Sequence, residues 1–171
     1  MENRKEFTFP SADGRTAIHA VEWHPAGEPA GILQIAHGVA EYALRYEPFA
    51  RFLNAHGFLV VANDHLGHGE SVAEGAPRLY FGEKGSWQHV VDDMYTLRCR
   101  TGEAYPELPY FIMGHSMGSF LTRTYLDVYK RQEVLCASSA KKSFSFSTAV
   151  SQSSLIHFRK SKMLISGNQM D

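Results

Sequence analysis

The sequence predicts an α/β domain, a largely parallel sheet with helices on both faces, and three observations carry that prediction. Short unbroken apolar runs, "GILQIAHG" at 31–38, "FLVVAND" at 58–64 and "YFIMG" at 110–114, have the length and hydrophobicity of strands buried on both faces. Between them lie segments whose apolar residues repeat at helical spacing. Each run leads into a glycine-bearing loop, "HGVAE", "NDHLGHGES" and "GHSMG", and in open parallel sheets ligands bind at the carboxyl ends of the strands.

The elements follow in order. "KEFTFPSADGRTAIHAVEWHP" alternates apolar and polar residues on either side of the turn signal "ADGR", which predicts an antiparallel hairpin. After the first run, "YEPFARFLNAHG" places Tyr46, Phe49, Ala50 and Leu53 on one helical face, Pro48 in the first turn and Gly57 just past the end. After the second run, Ser86 is placed to cap a helix lined by Trp87, Val90, Val91, Met94 and Leu97. A third helix should follow "GHSMG". Strands alternating with helices imply right-handed crossovers.

With 44% hydrophobic and 20% charged residues, the 171-residue chain suits one compact domain with a sizeable core. A formal net charge of -1 and a pI near 6.8 leave no basic stripe, so nucleic acid is not an expected partner. Cys99 and Cys136 stand far apart without metal-ligand spacing, as reduced thiols of a cytoplasmic protein would. The amino-terminal residues lack a signal-peptide core, and no run has bilayer-spanning length. The expected location is therefore the cytoplasm, with no transmembrane segment.

"GHSMG" at 114–118 matches G-x-S-x-G in the context of strand, tight turn and helix. A serine on such a turn leaves no room for side chains on either side, which explains Gly114 and Gly118. The helix starting behind Ser116 aims its amino-terminal amides at charge developing on a substrate, which favours attack on an acyl carbonyl. The plainer alternative is a helix-capping serine between turn glycines. "HGVAE" supplies a second donor if the Val39 amide joins that of Met117, each worth roughly 3 to 4 kcal/mol to the transition state. His65 and His68 have the spacing of a metal pair but no third ligand nearby, so no metal is expected. His115 flanks the serine but points away from it on the elbow. Asp92 and Asp93 read as a solvated helix face or a contact beneath the site.

"HGVAEYALRYEPFARFLNAHGFLVVANDHLGHGES" followed by "GHSMGSFLTRTYL" resembles the monoacylglycerol lipase and lysophospholipase family of α/β-hydrolases, also described as serine aminopeptidase-like. The resemblance covers residues 5–126. It implies Ser116 as nucleophile and the amides of Val39 and Met117 as oxyanion donors. His37, Gly38, Glu41, Gly114, His115 and Gly118 would be supporting residues, with His37 and Glu41 hydrogen-bonded within the oxyanion loop. The implied substrate is a small lipid ester, with transient contact at a membrane surface and no cofactor. The same elbow would serve a peptidase or a thioesterase.

After Leu126 the motif pattern stops. Residues 127–132, "DVYKRQ", match the translation of GAT GTG TAT AAG AGA CAG, a transposase-end adaptor used in sequencing libraries; the plainer alternative is a natural amphipathic helix end, "YLDVYKRQ". Residues 133–171 are rich in serine and lysine and weak in apolar periodicity. The expectation is an incomplete α/β-hydrolase fold over 1–126, an adaptor-derived junction, and an unrelated tail or one ending in a fragment of the triad-acid strand. In that last case "KMLISGNQMD" makes Asp171 the triad acid. The triad runs in the order Ser, acid, His, and His157 precedes Asp171, so the general-base histidine is expected to be absent and the chain inactive. A non-catalytic chain on a hydrolase fold is the rival reading.

Overall fold

The computed structural model describes residues 3–129 and 147–151. The chain forms β1 (Arg4–Pro10), β2 (Ala17–Trp23), β3 (Gly31–Ala36), a 3-10 turn (Ala43–Tyr46), α1 (Glu47–Ala55), β4 (Phe58–Asn63), α2 (Trp87–Ala104), β5 (Tyr110–His115), α3 (Met117–Tyr129) and β6 (Ser147–Ser151). The sheet order is β1-β2-β4-β3-β5-β6. β1 and β2 form the hairpin, with Thr8 opposite His19, and β2 runs antiparallel to β4. β3 lies parallel between β4 and β5. From β3 the chain therefore moves to one side to make β4 and later returns to the other to make β5. That reversal puts a crevice at the carboxyl ends of β3 and β5, where "HGVAE" and "GHSMG" begin.

The unbroken apolar runs have a direct cause, since successive side chains point to opposite faces and both faces are covered. Ile32 and Ala36 of β3, with Leu59 and Val61 of β4, pack under α2 and α3. Leu33, Ile35, Val60 and Ala62 pack on the other face, with Ala50 and Leu53 of α1. Among the buried polar side chains, Gln34 of β3 is hydrogen-bonded at both ends of its amide. Buried Gln34 accepts a hydrogen bond from the Tyr110 hydroxyl at 2.7 Å and donates to the Met94 carbonyl at 3.0 Å, tying the sheet to α2.

The helix expected after the first run is present as α1, with Pro48 in its first turn, and a 3-10 turn over Ala43–Tyr46 precedes it. Other local expectations change. Ser86 occupies the cap position of α2 without a side-chain capping bond. Trp87 is 45% exposed, so the buried stripe of α2 starts only at Val90. β6 falls in the serine-rich stretch where the sequence predicts no strand, yet its backbone pairs in parallel with β5 from Ser147 opposite Phe111 to Ser151 opposite His115. The open edge of β5 offers unpaired amides and carbonyls that a backbone can satisfy whatever its side chains.

The reading of Asp92 and Asp93 as a solvated face is also corrected. Asp93 is fully buried and accepts hydrogen bonds from the Ser11 hydroxyl at 2.8 Å and the Ala12 amide at 2.7 Å, pinning the β1–β2 turn onto α2. Half-buried Asp92 accepts from the Tyr129 hydroxyl. Burial pushes the Asp93 carboxyl up to about 6 from its usual 3.8, against the pull of its two hydrogen bonds. A folded-state value above the unfolded one means that the folded protein holds the proton more tightly. Its stabilising contribution is complete below pH 4 and is lost as pH rises to about 6, a swing of about 3 kcal/mol. Asp93→Asn keeps an acceptor for Ala12 and offers Ser11 a donor. It should raise stability at pH 7.5 by about 1 to 3 kcal/mol and have little effect at pH 3, below the ordinary carboxyl value. Thermal unfolding of both proteins at both pH values checks this, and an equal shift at the two would contradict it.

Candidate active site

β5 ends at His115 and α3 begins at Met117, so Ser116 makes the whole turn between them. It does so at φ +51°, a left-handed conformation that costs a non-glycine residue about 1 to 3 kcal/mol and persists only where surrounding structure enforces it. The enforcing contacts are visible. A Cβ on Gly118 would lie 2.0 Å from the Ala36 carbonyl oxygen, and one on Gly114 would lie 2.4 Å from the Gly118 carbonyl oxygen. The first turn of α3 thus sits directly on the end of β3. Ser119 closes the elbow, its amide donating to the Ser116 carbonyl and its hydroxyl to the Gly114 carbonyl, both at 2.9 Å.

The loop after β3 lies over this turn. A Cβ on Gly38 would come within 3.2 Å of Ser116 Cβ and of His115 Nδ1. Glu41 holds the loop in shape, because its Oε2 accepts from the Gly38 amide at 2.7 Å and from the Tyr46 hydroxyl at 2.7 Å. His115 Nδ1 faces the same oxygen at 3.1 Å, so His115 turns toward Glu41. Burial works against the Glu41 carboxylate, but the hydrogen bonds from Tyr46, Gly38 and His115 outweigh it and hold the group below the usual carboxylate value. Val39 is 55% exposed. Met117 packs partly buried against the core. Glu41→Ala would strand the Gly38 amide and the Tyr46 hydroxyl, at a cost of about 1 to 3 kcal/mol. Urea denaturation reads that loss, and a change below about 0.5 kcal/mol would mean that the loop is held by other contacts.

Beneath the loop is a buried stack of imidazoles. The His37 ring lies 4.1 Å from that of His65 and 5.4 Å from that of His68. His37 Nε2 accepts from the His65 amide at 2.9 Å and Nδ1 donates to the Gly38 carbonyl at 2.8 Å. That pattern requires the neutral ring protonated on Nδ1. Burial lowers the His37 pKa to about 4, and burial also lowers that of His65 well below its usual value. The loop after β4 is therefore a structural support of the loop after β3. Asp171, His157 and Cys136 lie outside the described residues, so the expected triad acid is not placed. Among the described residues no helix is long and apolar enough to cross a membrane.

Comparison with known proteins agrees with this geometry. A family model described as serine aminopeptidase, S33, matches residues 27–160, beyond the end of the motif resemblance near residue 126. The chain is 36% identical over 122 residues to a monoacylglycerol lipase of Mycolicibacterium smegmatis, covering 71% of this chain and 41% of that protein. It is 39% identical over 113 residues to the monoglyceride lipase of Homo sapiens, covering 63% of this chain and 33% of that protein. Among solved structures, a thermostable carboxyl esterase from Bacillus coagulans superposes with a TM-score of 0.69 at 36% identity, over 76% of this chain and 42% of that one. A lipase in its open form gives 0.67 at 34% identity, over 71% and 39%. The chain thus spans 41% and 35% of the length of the first two curated relatives it matches. With its sheet order, its serine elbow and a family match over most of its length, the chain belongs to the serine aminopeptidase S33 family of α/β-hydrolases.

Proposed function

We propose that this chain carries the nucleophile and oxyanion hole of a serine hydrolase that cleaves lipid carboxylic esters, monoacylglycerols or lysophospholipids, through an acyl-enzyme. The observation that supports this best is Ser116 at φ +51° between a parallel strand and a helix. Strain of that kind at a cleft is retained where it presents a reactive group. In the proposed reaction Ser116 Oγ attacks the ester carbonyl carbon while a histidine takes its proton. The amides of Val39 and Met117 stabilise the oxyanion, the alcohol leaves with the proton returned, and water then releases the acid. Asp171 is the proposed acid. With the general-base histidine expected to be absent, Ser116 is proposed to be weakly nucleophilic in this chain. The names of the lipase relatives favour an ester, whereas the family description favours a peptide.

A fluorophosphonate probe with mapping of the labelled peptide tests the reading. The adaptor proposal for 127–132 is tested alongside it, by sequencing the source DNA across codons 120–171. Asp127 and Tyr129 already close α3, with Tyr129 stacked on Tyr95 at 4.0 Å, so the helix accommodates them whatever their origin. If the adaptor codons vanish and the frame continues to an acid and then a histidine, that protein should label at Ser116 and hydrolyse monoacylglycerol faster than aminoacyl anilides. Failure to label there would refute the serine-hydrolase reading. The present chain should label weakly, and rapid ester hydrolysis by it would refute the proposed loss of the base.

A further inference from the structure

We propose that His19 is held as an imidazolium that locks the loop after β3 through Asp64, making the seating of that loop depend on pH from a strand that carries none of the candidate site residues. The consequence for catalysis rests on the proposed function, but the lock itself does not. His19 lies on β2 with its side chain 11% exposed, Nδ1 at 3.0 Å from Asp64 Oδ2 and Nε2 at 3.0 Å from Glu6 Oε2. An ionised carboxylate only accepts hydrogen bonds, and a neutral imidazole has one N–H to give. A neutral His19 would therefore set a ring lone pair against one of the two carboxylates. Only the imidazolium donates to both.

Asp64 passes this bond on. Its Oδ1 accepts from the Ala43 amide at 2.6 Å, at the start of the 3-10 turn that follows "HGVAE". Its Oδ2 also accepts from the Glu70 amide at 2.9 Å. The backbone is clamped at the same place: the Asp64 amide donates to the His19 carbonyl at 2.9 Å, and the His19 amide donates to the Ser71 hydroxyl at 2.9 Å. One carboxylate thus joins β2, the loop after β4 and the loop after β3.

The charged neighbours are Glu6 from β1, itself paired with Arg4 at 3.1 Å, and Asp64 from the loop after β4. His37, from the loop after β3, senses the Asp64 charge. The hydrogen bond to Asp64 raises the His19 pKa, burial opposes it, and the bond to Glu6 adds to the rise. For Asp64, burial works against the carboxylate, but the hydrogen bonds from His19, Ala43 and Glu70 outweigh it and hold the pKa down. The signs follow from linkage. His19 contributes fully below its ordinary pKa of about 6.5, and the contribution is lost as pH rises through the higher folded value. Asp64 contributes above its ordinary value, and that contribution is lost as pH falls through its lowered one. The lock is complete between those two limits.

The test is an NMR titration of the chain itself. At pH 7 both ring nitrogens of His19 should show imidazolium shifts, the midpoint should lie above about 6.5, and the Ala43 amide proton should titrate with the same midpoint. Glu6→Gln changes a side chain 39% exposed, so the fold should survive. It should lower the His19 midpoint by about one unit and the Ala43 exchange protection factor at pH 7.5 by about threefold or more, leaving the β4 amides unchanged. His19→Gln should abolish the titration at Ala43. A His19 neutral at pH 7, an Ala43 amide that ignores its titration, or a Glu6→Gln variant with an unchanged midpoint would each overturn the proposal. None of these readouts needs turnover, so failure of Ser116 to label counts against the proposed function alone.

Discussion

Ser116→Ala is expected to reduce ester turnover by on the order of a million-fold in the hydrolase that carries the complete triad, with KM little changed. Nucleophile, base and acid act as a unit, so deleting one removes nearly all of their joint effect. What remains, roughly a thousand-fold or more over water, belongs to the oxyanion amides and to substrate binding. Ser119 cannot substitute, because it is buried and its hydroxyl is committed to the Gly114 carbonyl. The fold should tolerate the change, since alanine meets the same φ +51° that the serine already adopts. Ser116→Gly separates the two roles of the residue. It should be equally inactive yet more stable by about 1 kcal/mol or more, because glycine relieves the strain. Kinetics on a monoacylglycerol together with thermal unfolding of all three proteins would show this. An alanine variant retaining more than about one hundredth of the turnover would mean that Ser116 is not the attacking group.

The sequence was most readable where one physical cause dominated. β3, β4 and β5 were legible because strands buried on both faces must be apolar throughout. The elbow was legible because its geometry admits little besides glycine around the serine. Trp87 has the right period for the α2 stripe, but periodicity does not say where along a helix the packing begins. Asp93 could be read as a solvated helix face or as a contact beneath the site, and the choice was hidden because its partners Ser11 and Ala12 are about 80 residues away in the chain. The Glu6–His19–Asp64 chain was invisible for a similar reason. Thr8 stands opposite His19 and Glu6 opposite Val21, so Glu6 reaches His19 as a diagonal neighbour, a relation that exists only once the register is fixed. Asp64 in "NDHLGHGES" was in view, but its role as an acceptor for His19, Ala43 and Glu70 was not. β6 was missed because backbone pairing at a sheet edge leaves little trace in the side-chain pattern.

Gly118→Ala is expected to be the most damaging of the stability changes, at about 3 kcal/mol or more, the upper end of what overpacking costs. The added methyl carbon would lie 2.0 Å from the Ala36 carbonyl oxygen and 2.7 Å from that of His37. Both are backbone atoms, so no side-chain rotamer change relieves the clash, and α3 must lift from the end of β3. For a domain of this size that corresponds to roughly 6 to 12 °C in Tm. Gly27→Ala is the internal standard, because nothing lies within 4 Å of a Cβ there, and it should change stability by less than about 0.5 kcal/mol. The site would suffer in the same step. His37 and Gly38 follow directly from Ala36, so moving α3 away from β3 also moves the "HGVAE" loop relative to Ser116. A Gly118→Ala protein that keeps wild-type stability and wild-type labelling of Ser116 would show that the helix does not rest on the strand end, and with that the account of why Ser116 holds its strained turn would fail.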